Sequence, residues 1–297
     1  TGVISLPQQH PGIIAGHAAL FDHLSKGRFI FGIGAGGLVS DWELFDNLDG
    51  KTRALTMIET IDSIIKIWES EKPVKFEGDY INFKVINNYV PELGIGKFIK
   101  PYQKPYPPIA VSLKNANSMT AKFAGQKSWI PISGNFIHPK DISTHWPTYK
   151  SGSLEEDIIP DPSIWRVGRS ILITDSNEEA DDIINDPHGI FTEYFLYLNV
   201  VSKLASGEKK ENLTLSTIRT ESINKAKELI IIGNEKTVLD KLIAFIDIVG
   251  PFGTLLLTGH DMTAHKKLWI NTFEKMSENI KPIISDYIST KLAKAAE

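Results

Sequence analysis

The sequence contains no cysteine. That absence excludes disulfides, Cys-ligated zinc, iron–sulfur clusters and a thiol nucleophile. It also fits a reducing cytoplasm, which is the expected location. Positive charge is not in excess either: 32 Lys and Arg stand against 36 Asp and Glu, a formal net charge of -4. A nucleic-acid binder or a polybasic membrane binder should be basic overall or in one block, so both classes lose support. No apolar run reaches the roughly 18 residues of a membrane span, and neither a signal peptide nor a spanning helix is expected. Nothing in the chain demands a metal, whether H-x-x-x-H or a carboxylate cluster, and none is expected. A G-x-S-x-G elbow for hydrolysis is also lacking. Internal repeats and low-complexity tracts are absent as well. Residue 1 is Thr, and TGVISLP reads as the middle of something larger.

What is present is an ordinary globular composition, 297 residues with 42% apolar and 23% charged side chains. Such a chain can bury a full core. Short apolar segments predict buried strands at 2–6, 28–31, 109–112, 129–132, 167–173 and 254–257. Between them lie helical patterns. Pro11 suits the first turn of a helix ending near Gly27. Ala54, Ile58, Ile61, Ile65 and Trp68 recur at helical spacing in the cleanest helix of the chain. Phe76 and Phe83 suggest a small hairpin outside the core. Residues 134–164, rich in Pro, Asp, Ser and His, read as a loop-dominated insertion. Strands alternating with helices imply parallel strands with crossover helices. An open doubly wound sheet and a barrel of eight β/α units both fit.

Gly32-Ile33-Gly34-Ala35-Gly36-Gly37 matches G-x-G-x-x-G after a strand. A dinucleotide-binding turn must open straight into a helix and needs an acid about 20 residues on. Here another loop follows, and Glu59 falls inside the strong helix. The remaining readings are a tight turn needing unusual backbone angles, or a loop that lets backbone approach a flat ligand.

Taken together, Leu6-Pro7, His10-Pro11, Ala15, Leu20, Asp22, Leu24-Ser25, Gly27-Arg28, Phe31-Gly32-Ile33-Gly34 and Gly36 strongly resemble the bacterial luciferase-like flavin monooxygenase family. The resemblance continues through Arg53, Glu59 and Trp68, Phe76-Glu77-Gly78, the run from Pro101 to Ala110, Arg169 and Glu178-Glu179-Ala180. The Phe252-Gly253-Thr254-Leu255-Leu256-Leu257 stretch looks most like the limonene monooxygenase branch. The resemblance implies an α/β fold, a (β/α)8 TIM barrel, over residues 1–297 as a single domain. Irregular insertions are expected near 72–107, 134–164 and 185–225. Six visible strands leave two units, about 60 residues, to be expected upstream of Thr1. The family's active-site His would lie there too.

The implied activity is oxygenation of a small apolar organic substrate, such as a terpene or aldehyde, with O2 and reduced FMN supplied by a separate flavin reductase. Two alternatives stay open on the same fold: a deazaflavin-dependent oxidoreductase and a non-catalytic flavin-binding partner subunit. The reading is compatible with homodimerisation. Gly2 and Val3 align where relatives place a non-prolyl cis peptide under the flavin, with an ordinary strand start as the alternative. Gly34, Ala35 and Gly36 occupy the loop where luciferases carry a cofactor-contacting Arg, here replaced by Ala35. Asp41 matches an acidic residue of that loop or caps a short helix. Asn117 and Ser118 open the helix whose N-terminus holds the flavin phosphate in relatives, a place physically suited to an anion. His10 is the weak catalytic candidate and equally a helix-entry residue. Trp42, His260 and Asp261 are candidate substrate contacts. For Trp42 the alternative is a core aromatic, and for His260 and Asp261 the end of a turn.

Overall fold

The structure is a computed structural model describing residues 1–296, with side chains described through 293. The chain divides into two compact units, Thr1–Ser112 and Leu113–Glu297. The division falls at the end of a strand, where the chain leaves the sheet for a loop.

In the first unit, β1 (Ile4–Ser5) is followed by α1 (Pro11–Leu24), β2 (Phe31–Gly34), α2 (Val39–Leu44) and α3 (Gly50–Glu69). The hairpin of β3 (Lys75–Glu77) and β4 (Asn82–Lys84) comes next, then β5 (Ile109–Leu113). β1, β2 and β5 are neighbouring parallel strands, with Ile4 opposite Ile33 and Phe31 opposite Ile109. α3 forms because Asp49 caps it, accepting from Thr52 N at 2.6 Å, and its apolar stripe then buries Ile61, Ile64 and Trp68. The Trp68 indole donates to Ala15 O, tying α3 to α1. The expected hairpin is present, with Phe76 opposite Phe83. Glu59 holds it to α3 by accepting from the backbone N–H groups of Asp79, Tyr80 and Ile81.

The glycine segment is not the turn expected. Gly32 and Gly34 lie within β2, and of the segment's glycines only Gly36 has a positive φ, +87°. The physical reason is close approach: a Cβ on Gly32 would stand 2.5 Å from Gly2 O. The Thr1 side chain holds the chain near, since its Oγ1 donates to Gly32 O and accepts from Gly32 N, both at 3.0 Å. The Gly2–Val3 peptide is trans; among the described residues the cis bond is Lys104–Pro105.

In the second unit, α4 (Met119–Gln126), β6 (Ile130–Ser133), α5 (Pro139–Ile142), α6 (His145–Glu155), β7 (Arg166–Arg169) and β8 (Ile171–Ile173) follow in order. Then come α7 (Asn177–Asn185), α8 (Ile190–Ala205), α9 (Leu215–Leu229), β9 (Ile231–Gly233), α10 (Glu235–Val249), β10 (Thr254–Leu257), α11 (Lys266–Lys275) and α12 (Lys281–Ala296). β6, β7 and β10 are parallel neighbours, and β8 pairs with β9. The predicted strand 167–173 therefore changes partner at Ser170: Arg169 O accepts from Thr258 N, and Ser170 O accepts from Ile231 N. One apolar core gathers Trp165, Val167, Leu242, Ile246 and Ile280, and a second gathers Leu172, Phe191, Phe195 and Leu229.

The loop-dominated insertion expected at 134–164 is helical instead. Residues 134–164 carry α5 and α6 because their prolines sit in first turns, where no intrahelical N–H is lost. Residues 185–225 carry α8 and most of α9, whose buried faces repeat at helical spacing through Phe191 and Phe195, and Ile218, Ser222, Ala226 and Leu229.

α4 and α6 touch backbone to backbone. A Cβ on Gly152 would come 1.9 Å from Lys122 O, so only glycine permits this packing. Gly152→Ala is expected to cost about 2–3 kcal/mol by forcing the helices apart. A lower urea midpoint at unchanged m-value checks this; an unchanged midpoint contradicts it.

Candidate active site

In the first unit the C-terminal ends of β1 and β2 bring Ser5 and Gly34 side by side. Gly34, Ala35 and Gly36 are half-buried there, while Gly2 and Val3 are exposed. His10 is exposed and caps α1, its Nδ1 accepting from Gly12 N at 3.1 Å. His138-Pro139 repeats the arrangement at α5, with Nδ1 accepting from Lys140 N. The repetition marks His-Pro as a helix-entry pair, one of the two roles expected of His10. Asp41 lies in the first turn of α2 rather than at its cap, which is Leu38. The Arg53 guanidinium covers one face of Trp42 at 3.6 Å, and donates to Asn47 O and Leu48 O. Trp42 Nε1 is the one buried side-chain polar atom without a partner among the described residues.

In the second unit Ser118 is the N-cap of α4, and its side chain makes no capping hydrogen bond. Asn117 stands just before it at φ +50°. Free N–H groups and the positive helix end are therefore available to an anion. The loop leading there is held from α6: Thr144 Oγ1 accepts from Asn117 N at 2.8 Å, and His145 Nε2 bonds Asn115 O at 2.9 Å. His145 is itself fixed by a buried run. Trp165 Nε1 donates to Ser133 Oγ, and that hydroxyl meets His145 Nδ1 at 2.8 Å. A carbonyl accepts only, so Nε2 carries the proton and Nδ1 accepts from Ser133.

A second run crosses the ends of β6, β7 and β10. Tyr194 OH donates to Asn135 Oδ1 at 3.0 Å, and Asn135 Nδ2 donates to the buried Ser170 Oγ at 3.0 Å. Ser170 Oγ lies 2.8 Å from His260 Nε2. The edges and faces of Phe191 and Tyr194 pack against the imidazole, with centroids at 5.2 and 4.8 Å. His260 and Asp261 border an open cleft of about 620 Å³ with His188, Ile190, Glu193 and Tyr194. Asp261 also closes a turn, accepting from Thr263 N and Oγ1. A more apolar groove of about 370 Å³ lies along β10 against α11 and α12, on the strand's flank rather than beyond its end.

Burial holds both His145 and His260 below the ordinary histidine pKa; for His145 the hydrogen bond to Asn115 and the charge of Asp141 oppose it in part. Both rings are therefore neutral at pH 7. Their contribution to stability is complete above the unfolded value of 6.5 and is lost as pH falls below it toward the depressed folded values. Urea melts between pH 8 and 5 should show the midpoint fall from about 6.5 downward, before the carboxylates titrate. A midpoint flat from pH 7 to 5.5 would contradict this.

A family profile described as luciferase-like monooxygenase matches residues 1–250. The chain belongs to this family. It is 27% identical over 290 residues to the 4-hydroxyprotoasukamycin monooxygenase of Streptomyces nodosus subsp. asukaensis, covering 95% of this chain and 72% of that one. It is 23% identical over 293 residues to the limonene 1,2-monooxygenase of Rhodococcus erythropolis, covering 98% and 70%. Among solved structures it is similar to the oxygenating constituent of 3,6-diketocamphane monooxygenase from Pseudomonas putida, a type II Baeyer-Villiger monooxygenase in complex with FMN. That match has a TM-score of 0.73 at 21% identity, and covers 95% of this chain and 78% of that one.

Membership bears out the α/β fold of TIM-barrel type and, at the level of the family, the reading as a flavin-dependent monooxygenase. No helix among the described residues is long and apolar enough to cross a membrane. For this luciferase-like chain the fit to FMN rests on α4: an uncapped helix start behind an αL residue suits a phosphate. The sequence reading missed Ser133, Asn135, Ser170, Tyr194 and His145. For Ser133 a signal existed, since it is a hydroxyl at the end of an otherwise apolar strand.

Proposed function

We propose that this chain is the oxygenase of a two-component flavin system. It takes reduced FMN from a separate flavin reductase, consumes O2, and transfers one oxygen atom to a small apolar organic substrate such as a terpene or aldehyde. The family match along residues 1–250 carries this reading. When bound, reduced FMN supplies the electrons that activate O2.

The protein's part is binding, orientation and exclusion of water. Asn117 and Ser118 are the proposed phosphate contacts, with the free backbone N–H groups at Ser118 and in the first turn of α4, since the Asn117 N–H is already given to Thr144 Oγ1. His145 and Thr144 keep that loop in place through Asn115 and Asn117. In the first unit, Gly34, Ala35, Gly36, Gly2 and Val3 are the proposed backbone contacts of the cofactor. Trp42, His260 and Asp261 are the proposed substrate contacts, and Phe191 and Tyr194 add apolar surface beside His260. The zero-cysteine composition supports a reducing cytoplasm as the setting.

Anaerobic titration tests the cofactor. Reduced FMN should bind well ahead of a reduced deazaflavin. Preference for the deazaflavin, or no binding of either, would overturn the proposal.

A further inference from the structure

The hydrogen-bond run ending at His260 has a direction. Tyr194 OH donates to Asn135 Oδ1, and Asn135 Nδ2 donates to Ser170 Oγ. The Ser170 hydroxyl then has its own proton left to give, and His260 Nε2 stands 2.8 Å away. In this direction every donor of the run meets an acceptor. In reverse, the phenolic proton of Tyr194 would lose its acceptor. Nε2 is thus an acceptor turned to a fully buried serine, and the ring proton of a neutral imidazole must sit on Nδ1. Burial, which disfavours the imidazolium, keeps the ring neutral.

The cleft that His260 borders says what a donor there would meet. Ile190, Tyr194 and Ala264 give the cleft its apolar wall, and the buried Phe191 backs the His260 ring from the core. Its acids are Glu193, paired with Arg219 and with His188 at 3.7 Å, and Asp261, engaged by Thr263. Two carboxylates beside the cleft disfavour an anion, whereas a neutral oxygen accepts a hydrogen bond without that penalty.

We infer that the run from Tyr194 through Asn135 and Ser170 locks His260 as its Nδ1–H tautomer, making it a specificity-determining donor to a neutral acceptor oxygen, of carbonyl or ether type, on an otherwise apolar substrate. This rests on the reading of the cleft as the substrate site. Ser170 and Asn135 are positioning residues that act through His260.

Two measurements on the intact protein test it. Nitrogen-15 NMR of histidine-labelled protein at pH 7.5 should show His260 protonated at Nδ1, and Ser170→Ala should erase that bias while a cooperative melt shows the variant still folded. A resident Nε2–H tautomer overturns the inference, whatever the enzyme's activity. Cyclohexanone and cyclohexane are then titrated as probes. The ketone should bind about tenfold tighter than the hydrocarbon, the worth of one neutral hydrogen bond, and His260→Leu should abolish the difference. Equal binding of both by the native protein overturns the donor role. An Nδ1–H tautomer with no binding of either probe at the cleft leaves the lock standing and overturns the cleft as substrate site.

Discussion

Ser118→Asp is expected to strengthen helix α4 and, at the same time, weaken FMN binding by 10- to 100-fold. The two effects share one cause. The serine at this cap makes no side-chain hydrogen bond, so an aspartate there gains both a capping bond and a favourable interaction with the helix dipole. That is worth about 0.5–1 kcal/mol. The same carboxylate would stand where the phosphate is proposed to bind. Two unit charges about 5 Å apart at an effective dielectric near 20 repel by ~3 kcal/mol, less after screening by salt. The check pairs a urea melt with titrations of FMN and riboflavin. Stability should rise, FMN affinity should fall, and riboflavin, which lacks the phosphate, should bind both proteins alike. If FMN affinity is unchanged, the phosphate does not sit at α4. If FMN and riboflavin weaken together, the substitution has disturbed the site in another way.

Arg169→Met is expected to be the most damaging substitution for stability, at about 3–5 kcal/mol. Arg169 is 1% exposed and its guanidinium lies over Phe245 at 4.3 Å. Nη1 donates to Asn135 O at 2.7 Å and Ile137 O at 3.0 Å, and Nη2 donates to Ile137 O at 3.0 Å. Burial lowers its pKa to about 10, which still leaves it charged at pH 7. Methionine fills much of the volume but leaves two buried carbonyls unpaired, and each carried a charge-assisted bond. A melting temperature lower by on the order of 10 °C is the expected readout. Arg169→Lys should recover only part of the loss, because a single ammonium cannot reproduce the planar fork. The loss also reaches the cleft, since Asn135 belongs to the run that ends at His260. A loss below about 1 kcal/mol in the methionine variant would show that the carbonyls find other partners and that Arg169 does not organise this end of the unit.

The sequence made the repeating features visible and hid those that depend on distant partners. The strands at 109–113 and 254–257 and the helix at Gly50–Glu69 were legible because apolar periodicity is local. The helices of 134–164 were not, because prolines after His138 and Trp146 read as breaks when they are first-turn residues. Gly32 read as a turn because nothing in its neighbourhood reveals Gly2 O pressing against it. The residue 30 positions earlier in the chain causes that glycine, and no local window contains both. The polar runs show the same limit more strongly. Asn135 and Ser170 are 35 residues apart, and Ser170 and His260 are 90 apart. His260 and Asp261 were picked out by their place after the last strand. Only the structure separates them, giving His260 a buried partner and Asp261 a turn to close. His10 drew notice for the same positional reason, and its twin at His138 shows that this position also serves plain capping.

The central claim is transfer of one atom of O2 to an organic substrate at the expense of reduced FMN. Single turnover with reduced FMN, oxygen-18 gas and a panel of terpenes, aldehydes and cyclic ketones tests it most directly. The account predicts a product containing one oxygen-18 atom, with the second recovered in water and no product when FMN is replaced by a reduced deazaflavin. Consumption of reduced FMN with unlabelled product, or turnover sustained by the deazaflavin alone, would contradict it.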